Sequence, residues 1–167
     1  MRAAILALCA GLSLSACKLD KEESLRSLVS DWLFLDETYH FTSKATCTVA
    51  VFRLTSSEVK MAVPRARDVQ KALRLIRGGR PVLFDMAGSS PNAVSEQVMS
   101  KALEEGLGLI STVTGPSETC MDDEAILRGF ARVVMADATL TLYDAGRNML
   151  ILIYPPENLA FVLRGNV

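Results

Sequence analysis

The chain has 167 residues, 50% of them hydrophobic and 22% charged, with a formal charge of −1. That balance belongs to a globular protein long enough for one real core. It excludes a disordered chain, a collagen, a coiled coil and a strongly basic nucleic-acid binder. One histidine, one tryptophan and 6% aromatic residues leave little catalytic material.

Arg2 is the only charge before an apolar run from Ala3 to Ala16, interrupted by Gly11, Ser13 and Ser15. The run is shorter than the roughly 20 apolar residues of a bilayer span. A positive start, an apolar middle and small residues at the close are the layout of a secretory signal. The segment ends in Leu14-Ser15-Ala16-Cys17, which resembles the lipobox of bacterial lipoproteins. The resemblance covers the signal alone. It implies that residues 1–16 are removed and that Cys17 carries a diacylglycerol as the acylated first residue. Residues 17–20 are then a lipidated tether and 21–167 one domain. Buried acyl chains at about 0.8 kcal/mol per CH₂ hold such a protein on a membrane without a spanning helix. The expected address is the bacterial cell envelope, facing the periplasm. Lys18 stands where an aspartate marks inner-membrane retention in enteric bacteria, which tilts the expectation toward the outer membrane. The competing reading is a soluble secreted protein cut nearby. With Cys9 removed and Cys17 lipidated, Cys47 and Cys120 remain, and in an oxidising compartment they are expected to pair.

Along the mature chain, Leu25, Leu28, Val29, Trp32 and Leu33 repeat at helical spacing, with Asp20 and Glu23 as a capping pair, so the pattern predicts a helix over 21–33. Residues 34–54 are rich in β-branched and aromatic side chains and read as one long or two paired strands, with Ser43-Lys44 near a turn. Pro64 opens a second helix with the stripe Val69, Ala72, Leu73 and Ile76, stopped by Gly78-Gly79. Residues 81–86 make a short buried strand. Ser90-Pro91 starts a third helix that runs to Gly106. The stretch 107–114 is ambiguous: Ile110, Thr112, Val113 and Thr114 favour a strand, and two glycines weaken it. Thr119 with Asp122 opens a fourth helix carrying Ile126, Phe130, Val133 and Val134. Residues 138–143 and 148–154 flank a hairpin turn at 144–147 with Gly146 left-handed. In the first of these strands Leu140 and Leu142 alternate with polar residues, predicting one wet face, whereas Met149 to Ile153 is apolar on both faces and belongs at the centre of a sheet. Pro155-Pro156 stops it, and 159–163 returns as a last strand. The expected fold is one α+β domain: a mostly antiparallel sheet with a C-terminal hairpin against about four helices.

Few constellations carry chemistry. His40 lies near Asp36 and Glu37, but no G-x-S-x-G accompanies it, and alternation with Phe41 makes it an ordinary half-exposed strand residue. Cys120 at a helix start is placed for a lowered thiol pKa, yet it lacks a Cys-x-x-Cys partner and is better spent pairing with Cys47. Glu118, Asp122, Asp123 and Glu124 lack the alternating spacing of a calcium loop and suit the first turn of a helix. Gly106-Leu107-Gly108 is a fragment of a dinucleotide fingerprint, and no phosphate loop occurs. These readings assign no catalytic residue, no metal and no cofactor.

Charge placement is the strongest signal outside the core. Between residues 60 and 80, Lys60, Arg65, Arg67, Lys71, Arg74, Arg77 and Arg80 meet only Asp68. Arg67, Lys71 and Arg74 follow i, i+4, i+7 and are expected on one helix face, suited to anionic headgroups or an acidic envelope partner. The competing reading is a solvated face paired with acids of the same domain. The sequence therefore points to a membrane-anchored, non-catalytic binding or accessory module of the envelope, with no nucleic acid. The alternative is a small periplasmic hydrolase or thiol-redox enzyme using His40 or Cys120.

Overall fold

The run 149–154 is, as its two apolar faces require, the middle strand of a seven-stranded sheet. The computed structural model describes residues 19–60 and 62–165; the expected signal segment 1–16, Cys17 and Lys18 lie outside the described residues. In chain order the elements are α1 (Glu22–Ser30), β1 (Phe34–Ser43), β2 (Cys47–Ser56), β3 (Arg65–Ala66), α2 (Val69–Arg77) and β4 (Val82–Phe84). Then follow α3 (Pro91–Lys101), α4 (Leu103–Thr119), α5 (Glu124–Met135), β5 (Leu140–Asp144), β6 (Met149–Tyr154) and β7 (Leu159–Gly165). Strand order is β1-β2-β7-β6-β5-β4-β3, antiparallel throughout except for the β3–β4 pair. The fold is α+β in one domain, with five α-helices among the described residues where about four were expected.

Helices cover both faces. On one, α1, which ends at Ser30 rather than at residue 33, the turn after it and the segment 57–64 lay Leu25, Val29, Trp32, Leu33, Val59 and Val63 over Phe52, Leu83, Leu142, Ile151 and Val162. On the other, α2 to α5 pack Leu73, Val98, Leu109, Phe130 and Val133 over Val51, Phe84, Leu150, Leu152 and Phe161. The register defines two ends of the sheet. At the near end β1, β5 and β7 finish and β2, β4 and β6 begin, because Ser43 pairs Thr48, Cys47 pairs Gly165, and Met149 faces both Asp144 and Arg164. Helix α4 crosses the near end. Thr112 donates to the Asn148 side chain at 3.0 Å, and the disulfide Cys47–Cys120, with Cα atoms 6.2 Å apart, ties the residue after α4 to the start of β2. The expected pairing of the two cysteines is thus present.

Several local expectations are corrected. Pro64 does not start α2: β3 intervenes, and Asp68 caps the helix by accepting from Lys71 N–H. Residues 107–114 are helical within α4, because Gly106 lets α3 and α4 approach so closely that a Cβ there would lie 2.5 Å from Met99 Cα. Gly106 is therefore a helix–helix contact, not a helix end; α3 stops at Lys101, and Ala102 turns the chain. Thr119 closes α4 instead of opening α5, whose cap is Asp123. Asp20 does not cap α1 either; Lys21 occupies that position without a side-chain bond.

The turn 145–147 is a short 3₁₀ stretch, and its left-handed residue is Asn148, φ 47°, not Gly146. The next turn repeats the solution with Asn158, φ 48°. Asparagine tolerates this region because its short amide bonds locally; Asn148 donates to Gly165 O at 3.0 Å. Finally, β5 has no wet face: Thr141 and Tyr143 lie under the four-helix layer, both buried.

Candidate functional site

Between α5 and the outer strands lies a groove of about 420 Å³. Its floor is apolar: Val51 of β2, Leu159 and Phe161 of β7, and Ile126 of α5. Gly129 faces it from α5, its missing side chain leaving room above Phe161. Tyr39 of the edge strand, 63% exposed, stands on one rim. Two arginines flank the groove, each held by one carboxylate contact. Arg53 meets Glu37 at 3.3 Å, and Arg132 meets Glu157 at 2.9 Å while its guanidinium lies 5.8 Å from the Tyr154 ring centre. A guanidinium has five N–H donors, so each retains capacity for a further anion. An apolar floor rimmed by ion-paired arginines with donors to spare suits a ligand that is apolar in body and offers an acceptor group at one end. The composition of these lining residues offers no thiol, imidazole or aliphatic hydroxyl.

A polar network closes the near end. Asp144, 1% exposed, pairs with Arg147 at 2.6 Å, and that guanidinium also lies 5.8 Å from the Trp32 ring centre. Arg164 donates to Arg147 O and pairs with Asp20 at 2.6 Å. Asp20 accepts from Thr48 at 2.8 Å, and its own N–H donates to Ser43 Oγ at 3.0 Å. Asp20, read from the sequence as the last residue of the tether, is fixed to the domain.

The basic stretch divides into paired and unpaired side chains. Arg67 precedes α2 and pairs with Asp85 at 3.5 Å, so it does not share a helix face with Lys71 and Arg74. Arg65 faces the same Asp85 carboxylate at 4.0 Å, and Arg77 pairs with Glu105. The hydrogen bond from Arg77 holds the Glu105 carboxyl below its ordinary range and raises Arg77 in turn. Lys60 is drawn to Ser30 O and to the Phe34 ring. Lys71, Arg74 and Arg80 are exposed, and among the described residues they make no ion pair.

The remaining candidates disperse. His40 sits on β1 with its ring nitrogen 3.1 Å from Thr42 Oγ1, while Glu37 serves Arg53. Cys120 is buried in the disulfide with Cys47. Asp122 pairs with Lys44, Asp123 caps α5 and Glu124 pairs with Arg128; among the described residues no group of three or more acids, histidines or cysteines is placed to hold a metal ion. Among these residues, too, no helix is long and apolar enough to cross a membrane.

Comparison of the chain with protein-family models, with curated proteins and with solved structures finds no match. The groove residues Tyr39, Arg53, Arg132 and Glu157 were missed in the sequence because they come from four separate elements. One signal pointed toward them: Gly129 interrupts an otherwise strong helical pattern, and such a glycine usually has a packing or functional reason.

Proposed function

We propose that this chain is a lipid-anchored, non-catalytic binding module of the bacterial cell envelope, attached through Cys17 and facing the periplasm. The groove under α5 carries the reading, since its apolar floor and arginine rims are binding chemistry. Its ligand is an acidic envelope component that buries an apolar group over Phe161 and offers an anion to Arg53 and Arg132. The exposed Lys71 and Arg74 of α2 add attraction for an acidic partner. Lys18 after the lipidated cysteine favours the outer membrane.

The test uses anilinonaphthalene sulfonate, an apolar anion, as a fluorescent probe of the folded protein. Wild type is expected to bind it saturably, and Gly129→Leu, which fills the groove and favours the helix, is expected to abolish the signal. Arg132→Glu should weaken binding roughly tenfold, the scale of one charge-assisted contact. Probe binding indifferent to Gly129→Leu overturns the groove as the ligand site.

A further inference from the structure

Resting on the lipid-anchor reading, we propose that Asp20 clamps the near end of the sheet against the headgroup layer of the bilayer, so that the groove rim is held out toward the periplasm. Only three residue steps separate Cys17 from Asp20, and fully extended they span at most about 11 Å. Asp20 is no loose tail at the end of that span. Its N–H donates to Ser43, the last residue of β1; its carboxylate accepts from Thr48 at the start of β2 and from Arg164 at the close of β7. The carboxylate is only 16% exposed, so this charged contact is screened less than a surface pair.

Three strands are thereby tied to the lipidated residue at one end of the sheet. Around the clamp lie Leu19, 52% exposed, and the exposed loop residues Ala45 and Thr46. Exposed Arg80 follows α2 at the same end, because Gly79 O lies beside Gly146 of the turn into β6. Its guanidinium makes no ion pair among the described residues and suits an anionic headgroup. Asp20, Asp122 and Asp144 at this end are matched by Arg164, Lys44 and Arg147, while exposed Glu22 and Glu23 begin α1 without an ion pair among the described residues. The span from Cys17 to Asp20 is too short to hold this end far from the bilayer. The occupant of this end is therefore the lipid surface to which the tether leads. Arg53, on the groove rim, lies six residues beyond Cys47 along β2, about 20 Å farther from that surface at strand rise.

The experiment uses the acylated full chain in phosphatidylethanolamine–phosphatidylglycerol vesicles containing a shallow spin-labelled lipid that quenches tryptophan. Thr46→Trp reports the near end and Pro156→Trp the far turn, each against the Trp32 background. Thr46→Trp is expected to be quenched at least about threefold more than Pro156→Trp, since contact quenching reaches only the interfacial layer. A flexible Gly-Ser insertion of ten residues after Lys18 leaves the Asp20 clamp intact and should erase the difference; Asp20→Ala should reduce it. Equal quenching at both positions in vesicle-bound wild type overturns the orientation while sparing the anchor. Protein that does not float with the vesicles refutes the anchor itself, and the orientation falls with it.

Discussion

One face of the sheet is sealed by α1 and the segment 57–64, the other by four helices with a disulfide at one corner. On the four-helix face each covering helix has a neighbour, and Cys47–Cys120 fixes the end of α4 to β2. On the α1 face there is no such redundancy. Leu25, Val29, Trp32 and Leu33, with Val59 and Val63 of the segment 57–64, are nearly the whole cover, and the strands themselves supply most of the apolar surface. Polar contacts hold that thin layer in place: Asp20 before α1, and Lys60, whose N–H and ammonium both reach carbonyls at its far end. A face covered by one helix and a short loop segment is expected to open as a unit, whereas a face of interlocked helices opens only with the domain.

The largest expected effect breaks the better-covered face. Replacing Cys47 and Cys120 with alanine together removes a cross-link spanning 73 residues, which the chain-entropy model values at about 4 kcal/mol. The check is the urea midpoint of the variant against oxidised wild type; a shift worth under about 1 kcal/mol would show that the denatured chain is not what the bridge constrains.

Next comes Leu25→Ala, 2% exposed in the native state, with an expected cost of about 2–4 kcal/mol. Amide exchange should quicken in α1 well before it does in α5. Uniform acceleration across both faces would instead make the α1 layer an inseparable part of the global unit.

The smallest effect has the opposite sign. Thr141 Oγ1 is buried under the four-helix layer without a hydrogen-bond partner. Thr141→Val keeps the shape and removes the unsatisfied hydroxyl, so a gain of about 1 kcal/mol is expected in thermal unfolding. A loss of stability would mean that a water or a shifted acceptor serves that hydroxyl.

Thr141 also marks where the sequence was and was not legible. Alternation in 139–143 was real, but a polar residue every second position reads as a wet face unless the covering layer is known, and that layer comes from distant α2 to α5. Strands with two apolar faces were readable, as β6 was, because their burial is written in their own residues. The same locality explains the helices: α1, α2 and α5 have their own stripes, whereas α4 is held by Gly106 against Met99 and by Thr112 on Asn148, contacts invisible in a linear string. Of the candidate site, the disulfide partners followed from counting cysteines. The groove did not, since Tyr39, Arg53, Arg132 and Glu157 share no spacing.

The irregular pairing of β1 bears on how closely copies of this domain can crowd. Its register against β2 breaks at Phe34/Leu35, Leu35/Thr38 and Thr38/His40, leaving an unbroken ladder only over His40 to Ser43. Exposed Asp36 and Glu37 sit within the broken part. At the opposite margin of the sheet, β3 is two residues long. Neither margin offers a second copy a flat row of free N–H and C=O groups to zip against. Copies crowded together meet often, and a sheet frayed at both sides lets them collide without joining strands.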